Sequence, residues 1–161
     1  MSPSGKDDPR TREIEHLGDD HGRALRGEAF HGPGVLEVLE GVDAATASRR
    51  PIPAAHTIWE IVRHIEVWDR VVLRRIQGEI LDPTPEEDWP PVRDSGEDAW
   101  KRDIAAMVTT HEALNRAIRD LTPEALETRI AEERPPLFRL VYGAAHHELY
   151  HAGQIAILRK G

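Results

Sequence analysis

The sequence His147-Glu148-Leu149-Tyr150-His151, near the end of the chain, places two histidines four residues apart. Side chains at that spacing lie on one face of a helix, with Cβ atoms roughly 6 Å apart, so the two imidazoles can bind a single metal ion. Both belong to an apolar stripe that consists of Leu140, Ala144, His147, His151, Ile155 and Leu158. Because a buried imidazole needs a polar partner, this stripe indicates a metal site.

The composition predicts a single soluble, cytoplasmic domain. The chain has 161 residues, a net charge of −8 and no cysteine. The acidic charge argues against nucleic acid as the main partner. The absence of an apolar run of about 20 residues argues against a membrane span, and the first residues lack the apolar core of a signal peptide. Without cysteine, disulfides and thiolate ligands are excluded, whereas nine histidines direct attention to imidazole chemistry.

Apolar residues recur at helical spacing through most of the chain, and no stretch alternates as a strand would. The pattern predicts four main helices: one broken helix over residues 12–40, one from Thr57 to Gly78, one from about Ser95 to Leu121, and one from Leu137 nearly to Gly161. A four-helix bundle is the expected fold. Thr57 and Glu60 form a capping box at the second helix.

The remaining segments are predicted as connections. They are a flexible tail over residues 1–10, a loop over 44–55 with or without a helical turn at its start, a long loop over 79–95, and a short helical turn over 123–127. Residues 11–161 then form one domain.

Two histidines leave the metal site incomplete, because a catalytic zinc ion typically has three protein ligands and an open position. The string HELYH also fits the zinc protease motif H-E-x-x-H, with Glu148 as general base. However, the third histidine of metzincins would fall at Ile157, and few residues follow for a more distant ligand. The third ligand therefore comes from upstream. His64 is preferred, with His111 and His21 as rivals, and spacing alone does not decide among the three.

Two stretches of this chain resemble the DinB/YfiT family of metal-binding four-helix-bundle proteins. They are AAHTIWEIVRHIEVWDRVVLRRIQG, which begins at Ala54, and HHELYHAGQIAILRK, which begins at His146. The Asp88-Trp89-Pro90 segment and the run FHGPGVLEVLEG agree with one branch of the family, and the likeness extends from about residue 12 to the end. The resemblance implies a divalent metal ion bound by His64, His147 and His151. It does not imply a role as base for Glu148, where the family commonly has Asp or another polar residue.

The resemblance implies a fold and a metal site more firmly than a reaction. Family members are described as predicted metal-dependent hydrolases, some are thiol S-transferases or isomerases, and many have no known activity. We therefore expect an enzyme that acts on a small molecule, either as a hydrolase or with a low-molecular-weight thiol as cosubstrate. The metal is Zn, Ni, Fe or Co, since three imidazoles suit all four. Glu148 and His111 are weak catalytic candidates.

Two other functional interpretations remain at this point. One is a non-catalytic metal-binding or stress-associated module. A weaker one is a homodimeric interaction protein, in which Trp59 and Val71 are apolar residues beyond the needs of the helix packing.

Several residues have both a structural and a functional interpretation. Trp89 is either a lid over the site or an anchor for the proline-rich loop, and His56 either lies near the site mouth or belongs to the capping region. His111 and His21 are expected to be hydrogen-bonded core histidines, and His146 should lie outside the apolar stripe. Since ligand imidazoles must be neutral, metal affinity is expected to fall below about pH 6.

Overall fold

Helices are the regular elements of the chain. A computed structural model describes residues 9–161, apart from the side chain of Arg10. In that range there are eight helices and no strand, only an isolated bridge between Ala29 and Gly32. The all-helical fold class is therefore confirmed. The helices are α1 (Pro9–Arg26), α2 (Val35–Leu39), α3 (Ala44–Ser48), α4 (Ile58–Ile76), α5 (Pro85–Asp88), α6 (Glu97–Arg119), α7 (Pro123–Leu126) and α8 (Leu137–Leu158).

Four of these helices are long, and they pack side by side in a closed cycle. The order around the cycle is α1, α6, α4, α8 and back to α1. Two clusters of buried apolar side chains fill the space between them. The first surrounds Trp59 and Trp100, whose ring centroids lie 5.1 Å apart, and the second surrounds Leu114 and Ile118. The four short helices lie in the connections.

The predicted start of α4 is confirmed in detail. The Thr57 hydroxyl accepts a hydrogen bond from the Glu60 amide at 3.1 Å, and the Glu60 carboxylate accepts one from the Thr57 amide at 2.8 Å. The turn after Thr122 is also present as α7, and a short helix, α3, begins the segment over residues 44–55.

Residues 12–40 are helical with an interruption, as predicted, but they form two separate helices instead of one broken helix. The first helix begins at Pro9 and ends at Arg26, where Gly27 (φ 114°) and Glu28 (φ 61°) adopt the left-handed conformation that terminates helices. Residues 35–39 then form the separate helix α2. Residues 1–8 of the predicted tail lie outside the described residues, and residues 9 and 10 belong to α1.

The long connection over residues 79–95 contains a helix that the periodicity did not reveal. Thr84 caps α5, Pro85 is its first residue, and Glu87 completes a second capping box. Four residues are too few to show an apolar period, so only the capping signal predicts this element.

Two further observations concern partners. Trp59 and Val71 are buried inside the chain, with exposed fractions of 0% and 3%, so neither residue supports the homodimer interpretation. None of the helices in residues 9–161 combines the length and apolar character that a membrane crossing requires.

Candidate metal centre

Three imidazoles converge where α4 and α8 pack together. α4 supplies His64, and α8 supplies His147 and His151. Nε2 of His147 lies 3.0 Å from Nε2 of His64 and 3.0 Å from Nε2 of His151. The three nitrogens lie within 4.8 Å of one another. The structure thus brings together the three residues that the resemblance implied as ligands.

Neighbouring acceptors determine the tautomers of two of these rings. Nδ1 of His64 lies 2.9 Å from the carbonyl oxygen of Asp88, and Nδ1 of His151 lies 2.6 Å from Oε1 of Gln154. Because an oxygen acceptor requires a proton on the nitrogen facing it, both Nδ1 atoms donate. Both Nε2 atoms then carry lone pairs that point toward the third ring.

The donor set fits a divalent metal ion better than it fits hydrogen bonding. A neutral His147 has one ring proton, so it can donate to only one of the two lone pairs beside its Nε2. Its own Nδ1 is buried without a hydrogen-bond partner. A metal ion satisfies all three inward nitrogens together. The oxygen atoms of Asp88 and Gln154 that accept from the outer nitrogens are of the kind that orients metal-binding imidazoles.

Burial keeps the three imidazoles neutral at physiological pH. It lowers the pKa of His147 to about 3 and that of His151 to about 4, with smaller contributions from the neighbouring histidines. Burial likewise lowers the pKa of His64, although the Asp88 carbonyl and carboxylate oppose that shift. Neutral imidazole is the form that binds metal.

The segment after α5 covers one side of the site. The Trp89 ring stacks on His64 with ring centroids 3.8 Å apart, and on its other face it stacks on His56 at 3.5 Å. It also packs against the first apolar cluster. The stacking on His64 agrees with a lid over the site, and the packing on the apolar cluster agrees with an anchor for the loop. The carboxylate of Asp88 lies 3.1 Å from Nδ1 of His64 and accepts a hydrogen bond from the Trp68 indole at 2.6 Å.

Asp88 was missed as a site residue in the sequence. The capping box at Thr84 would have placed the end of a helical turn at this position, but nothing in the sequence relates that turn to His64.

A cavity of about 480 Å³ opens onto the three imidazoles. Its walls are mainly apolar, with Trp68, Val72, Leu140 and Tyr150 among the lining residues. Trp89, Tyr150 and His151 separate it from a second apolar cavity of about 410 Å³ beside Ile52 and Ile157. The site therefore faces a volume suited to a small, partly apolar molecule.

The two weak catalytic candidates lie elsewhere. His111 and Glu148 are in contact, with Nδ1 and Oε1 2.6 Å apart, and they form a buried group with His21 and Asp69. Neither residue lines the cavity at the three imidazoles. Burial raises the pKa of Glu148 to about 8 and lowers that of His111 to about 4. The expectation that His111 and His21 are core histidines agrees with their burial, and His146 is exposed as expected.

Asp69 is the member of this buried group that the sequence reasoning missed. It lies four residues after Ile65 and three before Val72, within the apolar stripe of α4. A carboxylate in such a stripe is a signal for a buried polar contact.

The comparison with protein families supplies the remaining evidence. The searches of curated proteins and of solved structures gave no match. The model of the DinB superfamily matches residues 33–155, which include α4, α8 as far as Ile155, and all three converging histidines. This match covers well over half of the chain, and the protein therefore belongs to the DinB superfamily.

Proposed function

We propose that His64, His147 and His151 bind one divalent metal ion, with a further coordination position open to the adjacent cavity, in a four-helix bundle of the DinB type. The observation that carries this proposal is the convergence of three Nε2 atoms, two of which have their lone pairs directed inward by Asp88 and Gln154. Zinc, nickel and iron all suit three imidazole ligands.

The cavity supports an enzyme that acts on a small molecule. When bound, a divalent ion supplies Lewis-acid chemistry, which polarises a carbonyl group or lowers the pKa of water or of a thiol. The chain's own residues hold the ligands in place, since Asp88 orients His64 and Gln154 orients His151. Trp68 and Trp89 supply apolar walls that limit the access of water to the substrate side.

The reaction is either hydrolysis or transfer to a thiol. Because the chain contains no cysteine, a thiol would enter as a separate low-molecular-weight cosubstrate. Esters and amides offered with metal alone should be compared with an electrophile offered together with such a thiol. Turnover that does not require the thiol contradicts the transferase proposal, and turnover that requires it contradicts the hydrolase proposal.

The alternative proposal is a metal-binding module without catalysis. It predicts that metal removal lowers the melting temperature but that no substrate class is turned over. An open position occupied by exchangeable water argues against it, because structural zinc sites are closed.

Metal binding itself is tested by single substitutions. His64→Ala, His147→Ala and His151→Ala should each weaken binding at this site by at least about tenfold, since each removes one of three ligands. His146→Ala is the matched control, because His146 is exposed on the same helix. His111→Ala should also leave binding at the three imidazoles intact. Calorimetric titration of each variant with Zn²⁺ or Ni²⁺ gives the comparison, and unchanged affinity in the first three variants would contradict the proposal.

A further inference from the structure

One polar residue from each long helix meets in the interior of the protein. His21 lies on α1, Asp69 on α4, His111 on α6 and Glu148 on α8, and the exposed fraction of each is 2% or less. One possible ligand atom from each residue lies within 4.8 Å of the others. These four residues are called the inner cluster below.

The inner cluster forms a layer between the two hydrophobic clusters. On each long helix, the residue of the inner cluster lies between two apolar residues, one a turn before it and one a turn after it. These two apolar residues belong to different hydrophobic clusters. These flanking pairs are Leu17 and Leu25, Ile65 and Val72, Met107 and Leu114, and Ala144 and Ala152. Since burial of each polar group is costly without full pairing, four such groups in one layer call for a common partner.

Several atoms of the inner cluster lack a hydrogen-bond partner. They are Nε2 of His21, Oδ2 of Asp69 and Oε2 of Glu148, all of them buried. A proton held between the carboxyl groups of Asp69 and Glu148 gives those two residues a shared hydrogen bond, but it leaves Nε2 of His21 without a partner. Nε2 of His21 is 3.6 Å from Oε1 of Glu148, and Oδ2 of Asp69 is 3.7 Å from Nδ1 of His111. These separations exceed hydrogen-bond length, although the atoms face one another as ligands do around an ion. Native proteins rarely leave buried polar atoms unpaired.

The inner cluster can also match the charge of a divalent ion. The ion pairs of Asp69 and Glu148 are with His21 and His111 alone. Burial favours the protonated form of both carboxyl groups, and an ion would displace these protons. Two deprotonated carboxylates with two neutral imidazoles carry a charge of −2, which a divalent cation cancels. Two nitrogen and two oxygen donors suit first-row transition metals such as Zn²⁺, Fe²⁺ or Mn²⁺.

We propose that the inner cluster binds a second divalent transition-metal ion, in a buried site distinct from the three imidazoles. Of its four residues, Asp69 alone lines the cavity that the three imidazoles face. The ion replaces the contact between Nδ1 of His111 and Oε1 of Glu148 and satisfies the unpaired atoms around it. One ligand from each long helix means that the site forms only after all four helices have packed. His21 precedes residues 33–155, so this site extends beyond the segment that matches the family.

Burial makes the two ions kinetically different. Each ligand of the ion at the inner cluster is at most 2% exposed, and only Asp69 borders a cavity. This ion should therefore exchange slowly, on the timescale of local opening of the helices. The ion at the three imidazoles faces a cavity and should leave rapidly when a chelator is added.

The test measures metal per chain in the full-length protein refolded with Zn²⁺, before and after brief treatment with EDTA. The wild type should hold two ions before EDTA and one after it. His64→Ala/His147→Ala should hold one ion that resists EDTA. His21→Asn/Asp69→Asn should hold one that EDTA removes, and His16→Asn, an exposed histidine on α1, should behave as the wild type does.

The outcomes separate this proposal from the one for the three imidazoles. If the wild type holds a single ion and His64→Ala/His147→Ala holds none, the inner site is overturned while the three-imidazole site stands. If both hold one EDTA-resistant ion, the inner site is supported and the three-imidazole site is contradicted. The retained ion in His64→Ala/His147→Ala does not depend on how well His21→Asn/Asp69→Asn folds, and circular dichroism checks the folding of each variant.

Discussion

At the scale of single residues, Asp88 and Gln154 decide which ring nitrogen of the adjacent histidine carries its proton. They accept from Nδ1 of His64 and His151, so both Nε2 lone pairs point inward. This orientation favours metal binding because the hydrogen bonds hold each ring in the tautomer and direction that a metal ligand needs.

Removal of the Gln154 side chain therefore tests the orienting role. Gln154→Ala should weaken metal binding at the three imidazoles by about 10- to 100-fold, which is the usual effect of losing such a partner. The far-ultraviolet circular dichroism spectrum should stay unchanged. Arg139→Ala, exposed on the same helix, is the control. Equal affinity of Gln154→Ala and the wild type in calorimetric titration would show that the amide does not orient His151.

The buried imidazoles should also resist competition from protons. Ordinary histidines titrate near pH 6.5, so three of them would lose about tenfold in affinity each between pH 7.5 and pH 5.5. Here the pKa values of His147 and His151 are lowered to about 3 and about 4. In the metal-free protein, His147 and His151 thus stay neutral down to about pH 5, and burial lowers the pKa of His64 in the same direction.

Metal affinity at pH 5.5 should accordingly stay within about threefold of its value at pH 7.5 and fall steeply only near pH 4. Titrations with Zn²⁺ in non-chelating buffers measure this directly. The expectation from sequence, a fall below about pH 6, assumed ordinary pKa values. A loss of about a thousandfold at pH 5.5 would show that the rings titrate as exposed histidines do.

At the scale of secondary structure, α4 is the element on which both buried polar groups depend. It presents His64 to the three-imidazole site and Asp69 to the inner cluster, five residues apart. Its first turn is held by the reciprocal hydrogen bonds between Thr57 and Glu60. The N-terminus of this helix is therefore a place where local stability can be changed without contact to either site.

Thr57→Ala should lower the free energy of unfolding by about 1 kcal/mol, the usual cost of losing an N-cap hydroxyl. Thr57→Ser keeps the hydroxyl and should restore most of that stability. Urea unfolding followed by circular dichroism provides the measurement. A full-size loss in Thr57→Ser as well would assign the effect to the packing of the buried threonine methyl group instead of the cap.

At the scale of the whole molecule, metal binding and folding are coupled. The ligands come from helices far apart in sequence, so they are together only in the folded state, and the ion stabilises that state alone. At a free metal concentration about 1,000 times Kd, the stabilisation is about 4 kcal/mol.

Zn²⁺ bound at the three imidazoles should therefore raise the Tm of the metal-free protein by about 10 °C, at about 2–4 °C for each kcal/mol in a chain of this size. His64→Ala/His147→Ala should lose the part of this shift that arises at the three imidazoles, while His146→Ala should keep it. Differential scanning calorimetry with and without metal gives the values. The same shift in the double variant and the wild type would mean that the three imidazoles do not bind the ion.

The sequence by itself determined much of the fold. Apolar periodicity and the caps at Thr57 and Thr122 predicted α4, α6, α7 and α8, because those signals depend only on neighbouring residues. The same local rules indicated a break within residues 12–40 but did not place it at Gly27 and Glu28, where left-handed backbone ends α1. They also failed at α5, which is too short for any period to appear.

Only the tertiary structure decided how the polar residues are grouped. The spacing of His147 and His151 indicated a pair, but the histidine that joins them cannot be chosen from spacing, since His21, His64 and His111 all lie on inward faces. Helix packing brings His64 to that pair and places the other two with Glu148 and Asp69. The physical reason is that helical periodicity specifies which face of a helix is buried, whereas the level at which two helices meet depends on how their side chains pack.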